Sequence, residues 1–362
     1  MNLNIPEHIL SITPYQPGKP LDELKRETDA RRTIKLASNE NPLGPSPLAL
    51  KAIEHTLNRI HRYPDSRGYE LTEKLSARLG VEPRQIVLGN GSDDIIAMLT
   101  RALLKPGDEA IAAKPSFLMY DIAVRCSGAE LIEVPLKNLG IDLKGYEKRI
   151  TPKTRLIFIC NPNNPTGVAV AKQDFKRFFS EIPGDIVMVI DEAYIEFVRD
   201  KQALNGMEYF CGDRPIVILR TFSKAYGLAG LRVGYGVMPA LISDLLHRVR
   251  GPFNVNILGQ AAAAAALDDE AFLNRTLRLT HEGLDFLYSS LDKLGVRYFP
   301  TQTNFFLIDV QKDADMVYED LLSLGVIVRS MSAYDFPTFI RVNVGLPEEN
   351  SFFIEALQKV LS

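Results

Sequence analysis

Lys224 stands three residues after Thr221 and one after Ser223, and Arg232 follows eight residues later. The preceding run Ile216-Val217-Ile218-Leu219 is continuously apolar and predicts a buried strand. Glycines at 227, 230 and 234 allow backbone to come close to a ligand. An amine at a strand end, among hydroxyls and with a guanidinium beyond, suits a nucleophile that attacks a carbonyl beside a phosphate. A lone lysine would more often be a solvated surface residue; here the neighbours carry the reading.

Other stretches repeat the arrangement of buried strand followed by polar residues. The apolar run 186–190 ends in Asp191-Glu192-Ala193-Tyr194. An acid at the end of a buried strand is costly to ionise without a partner. A protonated ring nitrogen would be one, through a charge-assisted hydrogen bond. Residues 156–160 lead into Asn161-Pro162-Asn163-Asn164-Pro165-Thr166-Gly167, which forbids a regular element and marks a special loop. Gly89-Asn90-Gly91-Ser92-Asp93-Asp94 reads as a glycine turn opening a helix, with Ser92 or Asp93 as the expected N-cap. Free N–H groups there would hold an anion, although most glycine turns are only turns. Phe117 follows a short strand at 110–113 and offers a ring to stack on a planar ligand; a core phenylalanine is the competing reading. Arg329 and Arg341 lie in apolar strands, 326–330 and 339–344, where a guanidinium calls for an anion, internal or bound. Tyr63, before Pro64, and Tyr15, in Pro14-Tyr15-Gln16-Pro17-Gly18, are each compatible with a plain turn.

Strand and helix patterns alternate over roughly 80–250, which predicts a mainly parallel sheet covered on both faces. The chemistry-bearing residues follow strand C-terminal ends, where open α/β sheets bind ligands. Residues 49–60 have helical spacing, and the alanine run 261–266 predicts a closely packed helix. Beyond about 268 the pattern becomes a helix (269–294), strand-turn-strand (297–310), a helix (314–324), the two arginine strands and a last helix (347–361). The expected organisation is an N-terminal arm (1–40) with a short helix near 20–26, a large α/β domain (41–267), and a small C-terminal α+β domain (268–362) that packs with the arm.

Composition sets outer limits. With 46% hydrophobic and 24% charged residues the chain is an ordinary globular protein rather than a disordered one. A formal net charge of -3 gives no basic footprint for nucleic acid. Cys126, Cys160 and Cys211 stand far apart and odd in number, which argues against a disulfide framework and for reduced thiols in a cytoplasmic protein. The N-terminus lacks the pattern of a signal peptide. No apolar run approaches the ~20 residues of a membrane span. The histidines show no metal-binding spacing, so no metal is expected.

The stretch around Lys224 resembles the lysine motif of the fold type I pyridoxal phosphate (PLP) enzymes, the aspartate aminotransferase superfamily, and the resemblance extends over essentially the whole chain. It implies that Lys224 holds PLP as a Schiff base and moves protons. It implies that Thr221, Ser223 and Arg232, with Gly91, Ser92 and Asp93, hold the cofactor phosphate, and that Phe117 stacks on the ring. Asp191 would meet the ring nitrogen, Asn164 and Tyr194 the ring hydroxyl. Tyr63 would cross a homodimer interface to the partner's phosphate. The strings at 36–47, 89–94, 161–167 and 339–350 are more closely similar to the histidinol-phosphate aminotransferases. That resemblance implies transamination of histidinol phosphate with 2-oxoglutarate in histidine biosynthesis, with Tyr15, Asn164, Arg329 and Arg341 at the substrate. Alternatives within the superfamily are an aromatic or broad-specificity aminotransferase and a threonine-phosphate decarboxylase. Outside enzymes, a non-catalytic PLP-fold binding protein is the alternative, which an attached DNA-binding domain would favour; none is visible. No GxGxxG or GxxxxGK[ST] string supports a nucleotide-binding enzyme.

Overall fold

The structure, a computed structural model, describes residues 3–14, 18–27, 32–211 and 214–362. Tyr15 lies outside the described residues. The central sheet has seven strands, in the spatial order Ile86–Gly89, Gly234–Val237, Ile216–Thr221, Val187–Asp191, Thr154–Cys160, Glu109–Lys114 and Glu130–Pro135. The last five are mutually parallel, and Gly234–Val237 runs antiparallel to both its neighbours. The sheet is therefore mainly parallel, as expected, with one reversed strand.

Alternation explains why these runs are continuously apolar. Ile157, Ile159, Ile190 and Ile218 face one side, with Phe175 and Phe178 of the helix Lys172–Glu181. Leu156, Phe158, Val189 and Val217 face the other, with Ile96 and Leu99 of the helix Ser92–Leu103 and Leu246 of Ala240–Val249. Both faces are covered, so neither can be polar. The alanine-rich helix Ile257–Ala266 packs on Pro47–Thr56, and buried Ala262, Ala263 and Ala266 permit close approach. The expected helix at 49–60 is an α-helix over Pro47–Thr56 followed by a 3-10 turn over Leu57–Arg59. Ser46 starts it by accepting the Ala49 N–H through Oγ at 3.2 Å, with Pro47 pre-set for the first turn.

A small C-terminal domain carries a four-stranded antiparallel sheet in the order Arg329–Ser330, Phe339–Asn343, Phe305–Asp309 and Arg297–Phe299. Leu284 and Leu287 of the helix Glu270–Leu294, and Phe353 and Leu357 of Pro347–Leu361, cover it. Ile34 and Leu36 join the same core from the N-terminal side. One expectation is corrected here: the single strand at 326–330 is two. Val326–Ile327 pairs in parallel with Ile34–Lys35, and Arg329–Ser330 pairs with Phe339–Asn343. The buried N-terminal strand needs partners for its backbone groups. It finds them at Gly325 and Ile327, so the chain changes partner at Val328. No helix among the described residues is long and apolar enough to cross a membrane.

Candidate active site

The parallel strands end at a cavity of about 300 Å³. Residues 37–39 and the arginine strands of the small sheet form its opposite wall. Lys224 enters it just beyond Ile216–Thr221, its Nζ donating to the Ser38 carbonyl at 3.2 Å and lying 5.8 Å from the centre of the Tyr194 ring. Burial, helped by the Arg341 charge, brings this amine down to about 8. Gly227 shapes the turn after it: its φ is +71°, and a Cβ there would collide with the Gly44 carbonyl. That close approach joins the lysine turn to the loop at 36–44, as does the Asn41 side-chain amide on the Ala225 carbonyl at 3.0 Å.

Asp191 closes the buried strand Val187–Asp191. Its Oδ2 accepts from the Tyr120 hydroxyl at 2.8 Å, while Oδ1 is buried with no partner. Burial raises this carboxyl to about 6, against the stabilising Tyr120 bond. Tyr120 is locked by stacking on Phe158, with ring centroids 4.6 Å apart.

The opposite end of the cavity holds a helix start beside Arg232. The N-cap of Ser92–Leu103 is Gly91, not Ser92 or Asp93, because φ there is +86°, a conformation that suits glycine. A Cβ on Gly91 would also collide with the Arg232 guanidinium. Ser92 and Asp93 thus occupy the first helical turn, whose N–H groups lack helical partners. Arg232 donates to Ser223 Oγ and to Asp93 Oδ2, both at 3.3 Å. Thr221 Oγ1 accepts the Ser223 N–H at 3.1 Å. Phe117 lines the same cavity and meets Tyr120 edge-on at 5.6 Å.

On the far wall, Arg341 and Arg329 are directly opposite each other across the antiparallel pair, and both line the cavity. Arg341 is buried, with Nη1 donating to Asn164 Oδ1 at 2.5 Å and Nη2 to the Ala37 carbonyl at 2.8 Å. Tyr194 is buried too, and its hydroxyl accepts from Asn39 Nδ2 at 2.9 Å. The fold brings Lys224, Asp191, Tyr194, Asn164, Phe117 and both arginines into one cavity with Ser92, Asp93, Thr221, Ser223 and Arg232. Tyr63 does not join them within this chain: it is 81% exposed and stacks on Phe253 at 4.6 Å. Tyr120, Asn39, Cys160 and Tyr334 belong to the site or its support but were not among the expected site residues. Asn39 lies inside the string 36–47 that was read only as a whole; nothing local distinguishes Tyr120 from a core aromatic.

These groups suit PLP on structural grounds. An ionisable carboxylate with an orphaned buried oxygen matches a ring N–H. A helix start beside Arg232 matches a phosphate. An enclosed amine of lowered basicity matches an aldehyde.

The sequence model of the family described as aminotransferase class I and II matches residues 31–357. The chain belongs to that family. This class I and II aminotransferase uses PLP. It is 47% identical over 358 residues to the histidinol-phosphate aminotransferase of Moorella thermoacetica, covering 98% of this chain and 92% of that protein. Identity to the histidinol-phosphate aminotransferase of Desulfotalea psychrophila is also 47%, over 367 residues, covering 100% and 96%. The crystal structure of histidinol-phosphate aminotransferase from Sinorhizobium meliloti in complex with pyridoxal-5'-phosphate superposes with a TM-score of 0.91 at 26% identity, covering 100% and 98% of the two chains. A Thermus thermophilus aspartate aminotransferase double mutant superposes at 0.84 with 22% identity, covering 99% and 100%, which shows the shared fold.

Proposed function

We propose that this aminotransferase takes histidinol phosphate as amino donor and 2-oxoglutarate as acceptor, in cytoplasmic histidine biosynthesis. The observation that carries the reading is the cross-strand pair Arg329–Arg341 on the cavity wall facing Lys224. Two guanidiniums on one wall offer planar forks whose shape matches a phosphate or carboxylate. Gly18 lines the cavity as well. The names of the relatives support the donor. 2-Oxoglutarate rests on the need for one wall to accept both a phosphate and a carboxylate, which a guanidinium fork does.

PLP, when bound, supplies an electron sink for the carbanion at the substrate's Cα. The chain's own residues do the rest. Lys224 holds the cofactor and then, as a free amine, moves a proton from Cα. Asp191 keeps the ring nitrogen protonated, and Asn164 and Tyr194 steady the ring oxygen. Gly91, Ser92, Asp93, Thr221, Ser223 and Arg232 anchor the phosphate, and Phe117 stacks. We place the division of the chain at 1–40, 41–267 and 268–362, so that the cavity lies between the two larger parts.

Arg341→Ala is expected to damage both half-reactions. Arg329→Ala and Tyr15→Phe are expected to hurt histidinol phosphate more than glutamate, by ~1.5–3 kcal/mol for each lost bond to a charged group. The measurement is kcat/KM for each substrate. Efficient wild-type turnover of phenylalanine with barely any of histidinol phosphate would replace this reading by an aromatic aminotransferase.

The same reading includes a homodimer in which Tyr63 completes the partner's site. Exposed Leu50, Leu57 and Ile60 stand near Tyr63 in the sequence, an apolar stretch suited to a covered face. Mixing Lys224→Ala with Tyr63→Phe should then create heterodimers with one intact site. Their activity is expected to exceed that of either variant alone; a fully active monomer in sedimentation would contradict the arrangement.

A further inference from the structure

Three consecutive residues of the N-terminal segment each hold a different side chain of the site. The Ala37 carbonyl accepts from Arg341 at 2.8 Å, the Ser38 carbonyl accepts from Lys224 at 3.2 Å, and the Asn39 amide donates to the Tyr194 hydroxyl at 2.9 Å. Asn39 is 2% exposed and lines the cavity. Its φ is +54°, a left-handed conformation that asparagine tolerates better than most side chains. The small sheet grips it from both backbone sides. The Asn39 N–H donates to Asn343 Oδ1 and its carbonyl accepts from Asn304 Nδ2, each at 3.1 Å. Asn343 ends the strand that carries Arg341, and Asn304 directly precedes Phe305–Asp309.

We propose that Asn39 is a positioning residue that fixes the direction of the Tyr194 hydroxyl and makes that direction depend on the docked small sheet. A phenol hydroxyl has one proton and can accept on its other side. With an amide N–H occupying the accepting side, the Tyr194 proton points away from Asn39 and is committed to an acceptor on the ligand. Burial holds the hydroxyl in its protonated form, well above the ordinary phenol range. The charged and titratable groups around it are Arg341 of the small sheet and Cys160 and Asp191 of the large one, with the Lys224 amine 5.8 Å from the ring centre. Phe305 meets the ring edge-on at 5.1 Å, so the ring itself is held from the small sheet as well. The phenol's tilt is thereby held by Phe305 of the small sheet, and its proton by Asn39, which that sheet's flanking asparagines grip.

The inference rests on the reading of Tyr194 as a donor to the cofactor's ring oxygen. Such a donor draws off negative charge that otherwise helps retain the proton on the neighbouring lysine-linked nitrogen. Weaker donation therefore raises the pH midpoint of the cofactor's visible absorption band. The experiment is a spectral pH titration of the PLP-loaded enzyme. Asn39→Gly keeps the left-handed backbone without strain and is expected to raise the midpoint by about half a unit or more. Asn39→Asp keeps the side chain's size but accepts from the hydroxyl instead of donating, and is expected to raise the midpoint at least as far. Tyr194→Phe is expected to raise it too, and adding Asn39→Gly to that variant is expected to change nothing further. If Tyr194→Phe shifts the midpoint and Asn39→Gly does not, Asn39 has no such role. Additive shifts in the double variant overturn it as well. If Tyr194→Phe leaves the midpoint unmoved, the underlying reading of Tyr194 fails instead.

Discussion

Lys224→Ala is expected to be inert in transamination and to hold no cofactor that borohydride can fix to the chain. Lys224 is the single lysine among the described residues lining the cavity, so no neighbouring amine can take its place. Positioned proton transfer alone contributes roughly 10²–10⁴ to a rate, and the covalent anchor is lost in addition. The wild-type amine gives a second readout. Burial first, and the Arg341 charge next, lower it to about 8. Only the neutral amine attacks an aldehyde. Capture of PLP by the cofactor-free protein should therefore accelerate as pH rises through about 8 and level off above it. A normal turnover rate in Lys224→Ala would sink the assignment.

Asp191→Asn is expected to bind PLP but to slow the proton-transfer step. The phosphate contacts and the stacking ring do not involve this side chain, so affinity should largely survive. The electronic effect should not. Tyr120 donates to Oδ2, which leaves only Oδ1 for the ring nitrogen. An asparagine that keeps its oxygen toward Tyr120 must turn its NH₂ toward the ring, where it favours an unprotonated nitrogen. Losing a hydrogen bond to a charged group costs about 1.5–3 kcal/mol, which is roughly tenfold to 150-fold in rate if it falls on the transition state. Single-turnover absorbance with an amino donor measures this step directly. Unchanged kinetics would remove Asp191 from the mechanism.

Much of this site could be read before any coordinates, for a physical reason. Lys224, Asp191 and Asn164 each follow a strand buried on both faces, so polar residues there stand out against runs such as Ile216–Leu219. The arginines stood out in the same way, and their register explains their spacing: Arg329 and Arg341 are cross-strand partners. What stayed hidden depends on contacts between distant residues. Tyr120 follows Phe117 closely and looks like any aromatic on the helix Met119–Cys126 until Asp191 is placed against its hydroxyl. The apolar run at 326–330 gave no sign that the N-terminal segment would claim its first half. The cap at Gly91 was misjudged because side-chain preference favours serine and aspartate, whereas the backbone there takes a φ of +86°, which favours glycine. The role of Tyr15 rests on the resemblance alone, since that tyrosine lies outside the described residues.

The grip of Asn343 on Asn39 spans 304 positions of the chain. At a synthesis rate of ~5–20 residues per second, the Asn39 amide waits roughly 15–60 s on the ribosome before its partner exists. The large sheet is complete well before then, because its last strand, Gly234–Val237, is made earlier. A nascent chain can thus form the phosphate end of the cavity while the loop at 37–39 still lacks its hold. The wall of the cavity that carries the arginines is consequently added late in synthesis, and the loop at 37–39 gains its hold only once Asn343 is made.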